Sequence, residues 1–436
     1  MIVSSLRAAK YSLVVLTAAL FASPSPGAIP FPRQPSNTVP IMRMRSGEIS
    51  AADPKNKELL GDLAKYLAHR IVHPPFNGED LKKKIPGVHE DFETLLTEAD
   101  RYFTFPNPRQ TPISDMQLEY ARELGKEMAA ELMYVMTESV KKLERVNAAR
   151  MMAMAGKLPS EDLADAYLKI VREDKYPDEI KMFAYQGLRN LLSIPDPRDP
   201  TKHFMRVTKD RNILLEIFQA LDKVVTKPHA QKVTFDEAMV IQYVRREAVR
   251  AMAQFKYPVL RNNQRETVGK PIWTLIRVAR NDPTMLPGYG FHPLERIEAL
   301  IGICSMQTDL TVNLDSVAYL VNDTLIELAG QQAIDKSEVL KDARNKPIVP
   351  WKITGYRLKE ALTQWKTTTE RLPAARNPKT ASDYADTAIS KMLGKLEAEG
   401  VSAQPDVRSL ANWKTDRKPK VAQVLSDDAT TAFAVQ

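Results

Sequence analysis

Four stretches of this chain can be laid over one another without a gap, and their common spacing restricts what the chain can fold into. They are ERVNAARMM from Glu144, IKMFAYQGL from Ile180, VRREAVRAM from Val244 and ERIEALIGI from Glu295. The second position is basic each time: Arg145, Lys181, Arg245 and Arg296. The fifth is always alanine, at Ala148, Ala184, Ala248 and Ala299, and the eighth is Met151, Gly187, Ala251 and Gly302. Positions five and eight share one side of a helix, where small side chains let a neighbouring helix come close. In the third stretch, Val244, Ala248, Met252 and Phe255 follow the same period and form an apolar stripe that must be buried. Arg246, Glu247 and Arg250 are expected on other faces, with their charge in water.

The rest of the chain reads as helix too. Only 16 glycines and 7% aromatics accompany abundant Ala, Leu, Met, Glu, Lys and Arg, which favours helices over a turn-rich β-fold. Asp53-Pro54 is an N-cap followed by proline at the first helical position. Ser114 and Gln117 form a capping box for a helix running to about Lys142. Beyond it, prolines at 159, 177, 228, 258, 283 and 287 punctuate short helical blocks. No strand alternation bounded by Asn-Gly or Asp-Gly turns is found. The expected fold class is all-α, with an N-terminal helical region (53–142), a repeat core (143–333), a C-terminal helical region (334–400) and a mobile basic tail (401–436).

The aligned stretches resemble the HEAT-repeat family of armadillo-like α-solenoids, whose second helix commonly runs Val-Arg-x-x-Ala-x-x-Ala-Leu. YPDEIKMFAYQGL, from Tyr176, is similar in a further respect, because the family often places Pro-Asp just before that helix. The resemblance implies a superhelix of stacked helix pairs, with extra helices at both ends. It also implies that Arg145, Lys181, Arg245 and Arg296 join a polar ladder between repeats, with Asp178 matching the turn aspartate that such a ladder uses. The alanines are separated by 36, 64 and 51 residues. The family period is about 40, so insertions interrupt the array or a degenerate repeat sits between Ala184 and Ala248. The resemblance covers roughly residues 144–308.

The chain begins with Arg7 and Lys10 ahead of the apolar run YSLVVLTAALFA, which breaks at SPSPG. A basic start, a short apolar centre and small residues before a polar break describe a signal peptide over residues 1–22. The run is too short for a transmembrane anchor. Export to the periplasm or the extracellular space is therefore expected, behind a Pro/Ser-rich flexible linker over 23–52. The net charge of +8 falls to +6 once Arg7 and Lys10 are lost. That excess suits weak contact with an anionic surface polymer; nucleic acid is not expected of an exported chain lacking a basic-aromatic groove pattern. Cys304 is the only cysteine, which excludes an internal disulfide, and within IEALIGICSM it reads as a small core residue.

Known chemistry is sparse. His69 and His73 lie four apart and could share a metal, but a third ligand and the glutamate of HExxH are missing, so no metal site is assigned. HEDFE from His89 has glutamate where the second histidine of that signature belongs, and PGYGFHP from Pro287 reads as a turn. No nucleophile elbow, phosphate loop or calcium loop occurs, and no cofactor is expected. Trp351 and Trp365 are read as core packing. The leading expectation is an exported, non-enzymatic helical-repeat scaffold that binds another protein in the cell envelope. The alternatives are a helical-cleft hydrolase acting on glycan or peptide through dispersed carboxylates, and a basic module adhering to anionic envelope polymer.

Overall fold

Helix α1 (Val39–Ser46) begins where Asn37 Oδ1 accepts a hydrogen bond from Val39 N at 3.0 Å, with proline in its first turn. Its Ile41 and Met44, three residues apart, are fully buried. Just beyond, Ala51 is buried and donates its backbone N–H to Glu119 at 3.1 Å. The described part of the expected flexible linker is thus docked on the body. Proline there starts a helix instead of preventing one, because its missing N–H costs nothing in the first turn.

The chain is seen in a computed structural model that describes residues 29–73, 76, 88–104, 113–196, 203, 212–227, 234–262, 264–282, 290–307, 311–334, 351–372, 378–393, 407–416, 418–420 and 422–433. The expected signal segment at 1–22 and the first three residues of the PGYGFHP turn, 287–289, lie outside the described residues. Asp53 caps α2 (Pro54–His69) by accepting from Lys55 N at 2.9 Å. After α3 (Val88–Phe103), Ser114 and Gln117 form their reciprocal box at the start of α4 (Asp115–Glu138). This helix ends four residues short of Lys142, which instead opens α5 (Lys142–Ala155).

Next come α6 (Glu161–Arg172), α7 (Asp178–Ser193), α8 (Ile213–Val225) and α9 (Phe235–Met252). A two-strand antiparallel hairpin, β1 (Leu260–Arg261) and β2 (Thr267–Gly269), leads into α10 (Pro271–Ala279). The chain continues through α11 (Pro293–Ser305), α12 (Leu314–Ile334), α13 (Trp351–Glu370), α14 (Pro378–Thr387) with a π-helical extension, and α15 (Val407–Asp416).

Packing puts most of these helices in two ranks. Helices α5, α7, α9, α11 and α13 each lie against the next, as do α4, α6, α8 and α10, and each member of the second rank also packs on its sequence successor. The four aligned stretches occupy α5, α7, α9 and α11, consecutive members of one rank. Ala148, Ala184, Ala248 and Ala299 are at most 2% exposed. Among the described residues one helix, α8, stands between α7 and α9, so the long separation of Ala184 and Ala248 holds loops and a longer α9 rather than a further described helix pair.

At the eighth position of the second stretch the neighbouring helices come very close. A Cβ on Gly187 would sit 2.4 Å from the ring of Tyr167 on α6, whose hydroxyl donates to the Met152 carbonyl on α5 at 2.5 Å. One tyrosine therefore spans three helices, and only glycine leaves room for its ring. Gly187→Ala should gain about 1 kcal/mol of helix propensity but lose about 1–3 kcal/mol to overpacking. A net loss is expected in urea unfolding; unchanged stability would mean that Tyr167 moves aside freely.

The described part of the expected mobile tail is likewise built into the body. Leu410 and Val424 are fully buried, Asn322 Nδ2 donates to the Leu410 carbonyl at 3.0 Å, and Asn313 N donates to the Val424 carbonyl at 2.8 Å. Rings of Trp365, Tyr384 and Trp413 contact one another in turn, edge-on at 6.5 Å and tilted at 4.8 Å, and tie α13, α14 and α15 together. A few scattered apolar residues suffice for this docking, and they carry no period by which the sequence could announce it. No helix among the described residues is long and apolar enough to cross a membrane.

Candidate functional site: a donor-lined cleft backed by buried ion pairs

The charged residues of the aligned stretches do not all face water. Arg245 on α9 is 1% exposed, and its Nε and Nη2 reach Glu295 on α11 at 2.7 and 2.9 Å. Its Nη2 also donates to the Gly290 carbonyl at 3.0 Å, and Phe291 lies under the guanidinium at 4.0 Å. Glu295 accepts a further bond from His292 N at 2.6 Å, closing a capping box on α11. Burial pushes the Glu295 carboxyl up, while Arg245 pulls it back. We assign the ion pair, because protonating Glu295 would strand a guanidinium that cannot lose its own charge.

Arg296 repeats the device one helix on. It bonds Glu327 on α12 through both terminal nitrogens, at 2.9 and 2.7 Å, and donates Nε to the Ala279 carbonyl at 2.8 Å. Arg145 on α5 is half-buried, with an Nε that has no acceptor. Lys181 on α7 lies 3.9 Å from Asp174, not paired with Asp178. The two fully buried arginines thus use helix glutamates where the family resemblance implied a turn aspartate.

A second line of charge went unread in the sequence. Glu247, expected in water, is 2% exposed; Arg189 on α7 reaches it at 3.5 Å and Arg250 at 2.8 Å. Arg250 in turn bonds Glu298 on α11 at 2.9 Å, and Arg357 on α13 clamps Glu298 with two bonds of 2.7 Å. Burial pushes the Glu298 carboxyl up, but the bonds and charge of Arg357 and Arg250 outweigh it and hold it below the usual carboxylate range. Arg–Glu contacts therefore run from α7 through α9 and α11 to α13. The legible signal was glutamate at the fourth position of the third and fourth stretches, which meets arginines of neighbouring helices in the rank: α7 for Glu247, and α9 and α13 for Glu298.

Where α6 and α8 end against α7 and α9, the structure opens a cleft of about 480 Å³. Val171, Ala220, Val224, Ile241 and Val244 give it apolar walls. Arg172, Lys181, Lys223, Lys227 and Arg245 line it with cations, and Asp174 and Asp178 with carboxylates. Three residues singled out by the repeat pattern, Asp178, Lys181 and Arg245, thus meet at one opening. Arg172 leans on Glu216 at 3.3 Å, and Nη1 of Arg245 is buried without an acceptor.

The histidines take other roles. His69 Nε2 is 2.8 Å from the Glu131 carboxylate, whereas the ring of His73 lies against Phe31 at 5.1 Å, so the structure does not join them in one site. Among the described residues no group of three or more His, Cys, Asp or Glu is placed to hold a metal ion. His203, passed over in the sequence, is 2% exposed and stitched between the Leu192 carbonyl at 3.0 Å and Lys256 N at 2.9 Å. Burial pushes the Cys304 thiol far above its ordinary range, as befits a core residue and not a nucleophile. No protein-family model matches the chain, and neither a curated protein nor a solved structure is significantly similar to it.

Proposed function

We propose that this chain is an exported, non-enzymatic scaffold of the HEAT-like α-solenoid type, whose work is to hold another protein in the cell envelope. The observation that carries the reading is the ordered rank α5, α7, α9, α11, α13, with buried Arg–Glu contacts crossing from α7 onward. Stacked pairs of this kind share one continuous core and expose a long surface, which is how repeat arrays recognise proteins. The buried carboxylates Glu247, Glu295 and Glu298 are each held by arginine, which supports a structural use of charge. Export rests on the N-terminal basic-apolar pattern.

Two measurements test this. Mass spectrometry of the protein from its native host should find the N-terminus near residue 23, and an intact N-terminus in the cytoplasm would remove the export claim. Crosslinking in the intact envelope should join the chain reproducibly to one protein. Recovery of the uncrosslinked chain alone, under conditions that capture known envelope complexes, would sink the scaffold.

A further inference from the structure

We infer that the cleft between α6–α7 and α8–α9 docks a short acidic segment of a partner protein. One glutamate or aspartate carboxylate enters among Lys181, Lys223 and Lys227, and an apolar neighbour packs on Val224 and Ile241. This rests on the scaffold reading and names the chemistry of what the scaffold holds.

Size comes first. A cleft of about 480 Å³ lies within the range of built ligand sites; it admits a few residues of peptide and no folded domain. Next are the donors. The Lys181 side chain is only 16% exposed, yet its carboxylate contact, to fully exposed Asp174, is 3.9 Å, too long for a hydrogen bond. Arg245 also lines the cleft, but Glu295 and the Gly290 carbonyl hold its Nε and Nη2 and its Nη1 is buried, so it supplies positive charge and leaves the bonding to the lysines. Lys223, in the last turn of α8, and Lys227, two residues beyond its end, are exposed and both line the same opening.

The rest of the lining narrows the choice. Asp174 and Asp178 repel a ligand of high negative charge density, and Glu216 and Glu295 already meet two of the five lining cations. A polyanion or a cluster of phosphates is therefore disfavoured, while a single carboxylate flanked by an aliphatic side chain meets both the remaining lysines and the apolar walls. An acidic-apolar peptide has that pattern.

The test uses the mature chain and two fluorescent peptides, one alternating glutamate with leucine and one with glutamine in place of glutamate. Anisotropy should show binding of the glutamate peptide, weakening as salt is raised, and at least about tenfold weaker binding of the glutamine peptide. Lys223→Glu with Lys227→Glu should weaken the glutamate peptide by about tenfold or more. Both lysines are exposed, so the thermal melt of that variant should match the unaltered chain. Equal binding of the two peptides, or undiminished binding by the lysine variant, would overturn the assignment. So would saturable binding of anionic phospholipid vesicles or inorganic phosphate with none of the peptide. A crosslinked partner recovered without peptide binding removes the cleft and leaves the scaffold; peptide binding with no partner supports the cleft and removes the scaffold.

Discussion

Glu295→Ala is expected to lower the unfolding free energy by about 3–5 kcal/mol, the usual result of breaking a buried ion pair from one side. The loss comes mainly from what remains. Arg245 is 1% exposed, so without Glu295 an unpaired guanidinium sits in the core. The same change deletes the capping bond from His292 N at the start of α11. Urea denaturation monitored by circular dichroism reads the effect directly. Replacing both partners, Arg245→Met with Glu295→Leu, should restore part of the loss, because two apolar side chains of similar volume need no compensation. A single-variant cost below about 1 kcal/mol would mean that the pair is hydrated and does not join α9 to α11 as described.

Acid should weaken the fold well above the pH at which ordinary carboxylates protonate. His203 uses both ring nitrogens, with Nδ1–H donating to the Leu192 carbonyl and Nε2 accepting from Lys256 N. Phe255 and Tyr257 enclose the ring at 5.8 and 5.5 Å. Burial first, and then the charge of Lys256, push its pKa down to about 4 against 6.5 for a free histidine. The folded value is the lower one, so the unfolded chain binds the proton first. The stability is complete above pH 6.5 and drains as pH falls towards 4. At about 1.36 kcal/mol per unit, the loss is on the order of 3 kcal/mol.

His292, pushed down to about 4 by burial and by Arg246, adds a second proton to the same window. Stability measured against pH should therefore fall with a slope approaching two protons. His203→Phe should be less stable at neutral pH yet show a slope nearer one. An unchanged slope in that variant would show that His203 is not the group being titrated.

The elements most legible beforehand were those carried by local chemistry. Asp53, Ser114 and Gln117 announced two helix starts, because caps act within three residues. The alanine-spaced stretches announced four helices that now stand side by side, because the size of a side chain limits how near a neighbour can come. The family resemblance put Asp178, Lys181 and Arg245 on one polar ladder, but nothing in their spacing says that they meet at a cleft. That depends on where α8 and α9 lie against α6 and α7.

Helical period and capping, written into the order of residues, decided on their own that this chain is α-helical and where many of its helices begin. Whether a glutamate such as Glu247 or Glu298 meets water or an arginine was decided only when helices distant in sequence packed over that face. The same holds for α1 and for the segment after residue 406, whose docking comes from isolated apolar contacts such as Ile41, Leu410 and Trp413. Local interactions recur with the helix period and can be read along the chain, whereas burial and charge pairing depend on partners that folding brings in from elsewhere.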